Sequence, residues 1–516
     1  MTYSYSRSLC RYRYRFLHVL LLLLAFGWHH HLCPAVSASA DLDEAYVLSP
    51  VVQDHVDWFV SLLNGTPLNV TEYNERVSDD VLASLTAEEF ADVVAGLRDI
   101  DDTWAMTEVV FSVPSGAIVR LTPAVTEPEM LLNLSVDDDG RINGLLVGPA
   151  EPPVLDNPPK TIEEAADRLS GLGEYFNYLV ADVSAATATN GGALTCSESN
   201  ILSASGSDEP TPIGSIFKLY VLGAVVDAVN AGTIAWDQPV ELVDEYKSIP
   251  SGITQDDPPG SNRTVMEMAT LMMSISDNTA TDHLMVLVGR DAVEAAVSSY
   301  GHHMPDLNIP FISTREFSLL KLDGKSFDGG LDNHDTSPGP IGQEYIDAVD
   351  VAERRRILAD LRNSSVDGLD LTRWVQEGPV AVEEIEWFAS PLDLCTALVR
   401  LQQDEVASEI LSANPGIPDE QGLFSYIGYK GGSEPGVFGM AWYVEAAADG
   451  ARRVVTGTVW DPDLHIKDQT EAALLLGAMR DLSAASGDPT SGSVCLHRIK
   501  KVVMLLLPAI IHVALL

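Results

Sequence analysis

The sequence predicts an α+β protein of two domains, and three observations carry this. Helical patterns followed by four strand-like runs fill residues 41–150. A Pro-rich stretch, EPPVLDNPPK at 151–160, reads as a linker. Residues 161–488 then mix helices with short apolar strands and close on a β-hairpin and a final helix near 467–485. At 516 residues the chain has room for both domains and for end segments that belong to neither.

The ends read as targeting segments. Arg7, Arg11, Arg13 and Arg15 form a basic region, residues 16–26 are an apolar run and Ala38-Ser39-Ala40 supplies small residues for cleavage, so residues 1–40 read as a secretory signal. An uncleaved anchor is the alternative, against which the run is short. Residues 489–516 form a hydrophobic tail, with VVMLLLPAIIHVALL following the basic patch His497 to Lys501. The small residues Ser491, Gly492 and Ser493 and the spacer after them fit a glycolipid-anchor signal. Membrane attachment through this tail, an embedded helix and a tail of no function all stay open. Sequons at Asn64, Asn69, Asn133, Asn262 and Asn363 agree with a secreted or extracellular glycoprotein. Cys10 and Cys33 leave with the signal and Cys495 with the tail; Cys196 and Cys395 remain, free to form one disulfide that nothing in the sequence demands.

The net charge of −44 narrows the partners. A field of that sign repels nucleic acid and anionic surfaces, which excludes polyanion binding and leaves a solvated acidic surface. No cofactor or metal is expected, since neither remaining cysteine sits beside a histidine in a ligand pattern.

In the first domain, helical periodicity spans QDHVDWFVSLLN near 52–63 and recurs near 78–98, where Thr86 and Glu89 resemble a capping box. The runs WAMTEVVFSV, AIVRLTPAV, MLLNLSV and INGLLVGP follow, separated by turn signals at Pro114-Ser115-Gly116 and Asp137-Asp138-Asp139-Gly140. No convergent catalytic set lies here, which points to a structural or substrate-shaping role.

The second domain starts with TIEEAADRLSGL, capped by Thr161, and continues through the strand-like runs YFNYLVADV and NILSAS. It is organised around PIGSIFKLYVLGAVVDAV, residues 212–229, a helix apolar on nearly every side and therefore central. Ser215 and Lys218 are its polar exceptions. Three residues apart, they share a face, which is what a serine nucleophile needs of an amine that takes its proton. The helix N-terminus adds unpaired N–H groups for an oxyanion. Taken alone the pair fits equally well a helix cap with a snorkelling lysine. Ser318 and Lys321 show the same spacing and are discarded, because the LDGKSFDGG that overlaps and follows Lys321 cannot continue a buried helix; residues 321–345 read as an inserted loop.

Two further motifs bear on the choice. Ser276, Asp277 and Asn278 interrupt an apolar helical pattern, and a polar trio in that setting requires partners or a cavity. FSYIGYKGGSEPGVFGMAWYVE, residues 424–445, reads as a strand ending at Lys430, a corner at Gly431-Gly432 and a second strand. Each alone is ordinary: a helix-to-helix turn, a hairpin with a lysine.

In the order S-x-x-K, S-D-N, K-x-G, however, the three resemble the motif set of class A β-lactamases and penicillin-binding proteins. From about residue 161 to 488 the chain resembles this serine β-lactamase superfamily. Its closest likeness is to the two-domain type similar to the Orf-twelve protein of clavulanic acid clusters and related mycobacterial lipoproteins, through SIPSG, ISDNTATDHL, FISTREF and EWFASPLDL. The resemblance implies an antiparallel sheet flanked by helices plus an all-α subdomain. It implies a serine hydrolase acting on β-lactams or related amides and esters, with Ser215 acylated and Lys218 activating it. Ser276 would pass a proton between Lys430 and the leaving nitrogen, Asn278 would hold the substrate amide, and the backbone of Ser215 and Ser433, beside Gly432, would bind the oxyanion. A penicillin-binding peptidase, an esterase and an idle binding module on the same scaffold are the alternatives; a small molecule or peptide is the expected partner. Two departures stand out. Gly431 occupies the position of a customary threonine or serine, and no E-x-x-x-N element aligns, although Glu344, Glu383, Glu384 and Glu386 are at hand.

Overall fold

Val52, Val56, Phe59 and Leu63 recur at three- to four-residue intervals, so α1 (Pro50–Leu63) buries one face while Ser49 caps its start. The computed structural model describes residues 48–484, apart from 79–80, 83–85, 114, 126–128, 138, 150–154, 185–193, 250, 326–334, 367 and 420. The expected signal at 1–40 and the tail at 489–516 lie outside the described residues. The chain divides into two compact units, Met1–Pro153 and Val154–Leu516.

In the first unit, α1 is followed by α2 (Val70–Arg76), which the sequence reading passed over, and α3 (Ala87–Ile100). Four strands then form an antiparallel meander in chain order: β1 (Trp104–Val113), β2 (Gly116–Pro123), β3 (Met130–Val136) and β4 (Ile142–Pro149). Burial alternates along β2 and β3, as one covered face requires. Val119, Leu121, Leu132 and Leu134 meet Phe59, Phe90, Val93 and Leu97 in one core. Asn64, just past α1, donates its amide to Trp104 O at 2.9 Å and accepts from Trp104 N at 2.7 Å, which ties the end of α1 to the start of β1.

The second unit opens with α4 (Ile162–Leu169), capped by Thr161. In chain order come β5 (Tyr175–Asp182), β6 (Ile201–Ser205), the short β7 (Thr211–Pro212) and α5 (Lys218–Asn230), then β8 (Pro239–Glu241), β9 (Asn262–Thr264), α6 (Val265–Ser274), α7 (Asn278–Val288) and α8 (Arg290–Ser299). Helices α9 (Thr314–Leu322), α10 (Pro340–Asp347), α11 (Val351–Asp360) and α12 (Leu371–Glu377) precede β10 (Phe388–Ala389), α13 (Pro391–Leu401) and α14 (Glu405–Leu411). The chain then forms β11 (Phe424–Glu434), β12 (Val437–Ala446), β13 (Arg452–Trp460) and α15 (Gln469–Ser483). The main sheet is antiparallel, in the order β11-β12-β13-β5-β6.

Both faces of this sheet are covered. Val180, Trp442, Val444 and Val455 pack with Leu169 of α4 and Leu475, Leu476 and Met479 of α15. Their strand neighbours Leu179, Ala181, Ala441, Tyr443 and Val454 point the other way, into the large core that surrounds α5. Helix α5 is apolar all round because sheet and helices enclose it. Cys196 and Cys395, left open by the sequence, form a disulfide with Cα atoms 5.9 Å apart. Two sequence readings are corrected. The segment at 321–345 is not all loop: α9 runs to Leu322 and α10 begins at Pro340, with residues 326–334 between them outside the described residues. The hairpin does not turn at Gly431-Gly432: β11 continues through them to Glu434 and the chain reverses at Pro435-Gly436, where Gly436 takes φ +84°.

Candidate active site

The site begins where the edge strand β11 runs against the turn that opens α5. Gly214 adopts φ +49°, and a Cβ there would stand 2.9 Å from Ser433 N. A Cβ on Gly432 would stand 2.2 Å from Ile213 O, 2.7 Å from Ser215 N and 2.8 Å from Ile216 N. Only glycine fits at both positions, and the absent side chains let the backbone of Ser433 and that of Ser215 close on one seam. Residues Gly214–Phe217 are a 3₁₀ turn rather than the first turn of an α-helix. Lys218 opens α5 directly after this turn, three residues from Ser215. Ser215 is partly exposed, whereas Lys218 is fully buried.

Lys218 Nζ donates to Ser276 O at 2.6 Å, Ser276 Oγ at 3.0 Å and Asn278 Oδ1 at 2.6 Å. Burial pushes its pKa down to about 7, against the pull of the Asp277 and Asp282 charges. It is therefore an amine that holds or releases a proton near neutrality. Lys430, 1% exposed, donates to the same Ser276 Oγ at 3.0 Å and to Gly431 O at 2.6 Å. Burial and the neighbouring Lys218 charge hold it well below the usual lysine range.

The trio at 276–278 divides its labour. Ser276 sits in the left-handed region at φ +61°, uncommon for a residue with a side chain and a form of strain typical of functional turns. Asp277 holds that turn in place. Its Oδ2 accepts from Ile253 N (2.9 Å), Thr254 N (2.9 Å) and Thr254 Oγ1 (2.7 Å), and its Oδ1 caps α7 through Ala280 N (2.8 Å). Asn278 spends its oxygen on Lys218 and donates one amide N–H to Ile249 O at 3.2 Å, which leaves one N–H for any substrate.

The segment after residue 385 pairs with the strand that leads into the Ser215 turn. Trp387 O accepts from Ile213 N at 3.0 Å, and β10 pairs with β7 through Phe388–Pro212 and Ala389–Thr211. The Trp387 ring stacks on Phe217 at 3.8 Å between centroids and on Phe317 at 4.8 Å, and its Nε1 donates to Ile312 O. Of the available carboxylates, Glu344 is exposed and paired with Arg356 at 2.8 Å, and Glu383 and Glu384 are exposed. Glu386 is buried and faces Glu434. Glu434 in turn accepts from Lys321 Nζ at 2.7 and 2.8 Å. The second S-x-x-K pair is thus buried in full rather than carried to the surface, and its side chains part: Ser318 Oγ donates to Thr314 O while Lys321 reaches β11. Sequence reasoning missed this cluster, and the one signal for it was a lysine on the apolar face of α9.

One grouping has the composition of a metal site, His302, His303 and Asp393. His302 is already engaged at both nitrogens, with Phe388 O at 2.6 Å and Met304 N at 3.0 Å, and Asp393 accepts from Ser390 N and His303 N, each at 2.9 Å. These residues tie α13 to the segment before it.

A buried amine three residues after a serine, a second serine shared with a second lysine, and an edge strand closing the seam are similar to the motif arrangement of serine β-lactamases and penicillin-binding proteins. Residues 180–351 match the family described as Beta-lactamase enzyme family, and residues 49–142 match that described as ORF 12 gene product N-terminal. No curated protein matches the chain. Among solved structures, the β-lactamase from Sphaerobacter thermophilus is 20% identical with a TM-score of 0.38, covering 62% of this chain and 94% of that one. The β-lactamase from Chitinophaga pinensis is 15% identical with a TM-score of 0.39, covering 63% and 99%. PBP-A is 17% identical with a TM-score of 0.37, covering 63% and 98%.

Proposed function

We propose that the protein is a serine hydrolase that forms an acyl-enzyme at Ser215 with β-lactams or related amides and esters. The observation that carries this reading is the Ser276 hydroxyl held between two buried amines, Lys218 and Lys430, behind the turn bearing Ser215. In this reading the uncharged Lys218 takes the Ser215 proton as Oγ attacks the substrate carbonyl. The tetrahedral oxyanion is stabilised by the N–H groups of Ser215 and Ser433. Ser276, replenished by Lys430, delivers a proton to the leaving nitrogen or oxygen, and the free N–H of Asn278 holds the substrate amide. The disulfide supports work in an oxidising compartment, secreted or extracellular.

Intact-mass spectrometry after exposure to a penicillin and to an activated ester tests the proposal. An acyl adduct is expected on the native chain and none on Ser215→Ala; an unchanged adduct on the variant removes Ser215 as nucleophile. Folded protein with neither adduct nor turnover makes it a binding module on the same scaffold. A second reading, an esterase, is favoured by Gly431, which offers no hydroxyl to a substrate carboxylate. Preference for neutral esters over β-lactam acids in the same assay selects it.

A further inference from the structure

The most unusual chemistry outside the motif residues is the buried cluster of Lys321, Glu434 and Glu386. Strand alternation places Lys430, Gly432 and Glu434 on one side of β11. The first meets Ser276, the second packs on the nucleophile turn, and the third takes both hydrogen bonds from Lys321. Glu434 adjoins Ser433, so whatever holds its side chain holds the end of the oxyanion strand. Glu386 adjoins Trp387, whose carbonyl holds Ile213 just ahead of Ser215. The two carboxyl groups therefore hang from the two sides of the seam.

Both carboxyl groups are nearly inaccessible, at 4% for Glu434 and 5% for Glu386, and Lys321 is fully buried. Glu386 Oε1 accepts from Trp387 N at 2.8 Å, while its Oε2 finds no donor among the side chains around it. The contact with Glu434 is a hydrogen bond only if one of the two acids carries a proton. Glu434 has the Lys321 amine on both of its oxygens. Glu386, buried and facing Glu434, is pushed well above the usual carboxylate range. Glu384, Tyr345 and Arg354 share with Glu386 a cavity of about 20 Å³, enough for about one water molecule.

We propose that Lys321, Glu434 and Glu386 are positioning residues that hold the Ser433 N–H against the Ser215 turn, joined across the seam by one proton shared between Glu434 and Glu386. The proposal rests on the reading of Ser215 as nucleophile. With the proton in place the cluster carries one positive and one negative charge. Without it, two carboxylates repel across the seam and the strand end parts from the turn.

The test is the acylation rate of the full chain by an activated ester, followed from neutral to alkaline pH. The native rate is expected to fall on the alkaline side. Glu386→Gln keeps an amide-to-carboxylate hydrogen bond without a titrating proton, so it should lose the alkaline fall. Glu434→Gln should acylate on the order of 10²-fold more slowly with the initial, non-covalent affinity preserved, since a small displacement of the oxyanion donor acts on the transition state. An infrared band of a protonated carboxylic acid should persist in the native protein at mildly alkaline pH. Its absence overturns the proposal whether or not the variants fold. A folded Glu386→Gln with the native alkaline fall, or a Glu434→Gln that acylates normally, overturns this proposal alone. Failure of the native chain to acylate at any pH overturns the nucleophile reading and this one with it.

Discussion

The amine nitrogens of Lys218 and Lys430 meet on one oxygen, Ser276 Oγ, each at 3.0 Å. A hydroxyl has one proton to give and two lone pairs to offer, so two amines can share it as donors or exchange protons through it. Burial lowers both amines, and the Lys218 charge lowers Lys430 further, which is why both titrate below an ordinary lysine. The site is built to hold fewer protons than its residues could carry.

The first prediction is a pH dependence. Lys218 acts as a base only when uncharged, and its pKa lies near 7. Acylation of Ser215 should rise with pH through neutrality, with this acidic limb set by Lys218 and the alkaline fall by the Glu386–Glu434 pair. Lys218→Arg, whose guanidinium stays charged, should remove the limb and lower the rate by about two to four orders of magnitude, the usual worth of a positioned base. Stopped-flow acylation by a chromogenic ester checks this; a limb unmoved in a variant with residual activity assigns it to another group.

The second concerns the seam. A methyl group on Gly432 would stand 2.2 Å from Ile213 O, and neither strand nor turn can yield without separating Ser433 N from Ser215. Gly432→Ala should cost about 1–3 kcal/mol of stability by overpacking. It should slow acylation by on the order of 10²-fold through the lost oxyanion donor. Thermal melting and acyl-adduct formation read the two effects separately, and a variant with native acylation removes the seam from the mechanism.

The third concerns the disulfide, which joins residues 199 apart in sequence, from the edge of the sheet to helix α13. Replacing both cysteines by alanine should lower stability by about 2–5 kcal/mol, chiefly by freeing the unfolded chain. Acylation at low temperature should survive, since neither cysteine touches the site residues. Melting with and without reductant is the measurement: equal melting temperatures would mean that the bond contributes nothing.

Much of this was legible in the sequence, and what was not has a physical reason. β1, β3 and β4 have the bounds their apolar runs gave, because a meander with one covered face writes its period into each strand. Ser215 and Lys218 were visible as polar exceptions on a helix with no exposed face. The pairing of Lys321 with Glu434 was not visible, because 113 residues separate them and only the packing of α9 beside β11 makes them neighbours. The turn at Pro435-Gly436 was misplaced because Gly431 and Gly432 carry the same letters as a corner. Their actual use, at Gly432, is to admit another backbone inside a strand. The 3₁₀ form of the nucleophile turn leaves no mark on the apolar pattern at all, since both helix types bury Ile216 and Phe217.

The last prediction is the fate of the acyl-enzyme. Rapid hydrolysis needs a base that holds water against the acyl carbonyl. Of the four glutamates at hand, Glu344 faces Arg356 on the surface, Glu383 and Glu384 are exposed, and burial and the Glu434 charge push Glu386 well above the usual carboxylate range, toward its protonated form. A protonated acid cannot accept a proton from water. Lys218, fully hydrogen-bonded to Ser276 and Asn278, is the remaining base, and it must first release the proton it took from Ser215. General-base assistance is worth about two to four orders of magnitude, so deacylation without a dedicated base should limit turnover of β-lactams by roughly that factor. A chromogenic cephalosporin should show a burst matching the enzyme concentration and then a slow steady state, with the acyl adduct visible by mass at the plateau. Small esters with good leaving groups, whose acyl groups leave room for water, should turn over faster. Linear turnover of the cephalosporin with no burst and no adduct would mean that a base does reach the acyl carbonyl, and Glu386→Gln would then show whether it is Glu386.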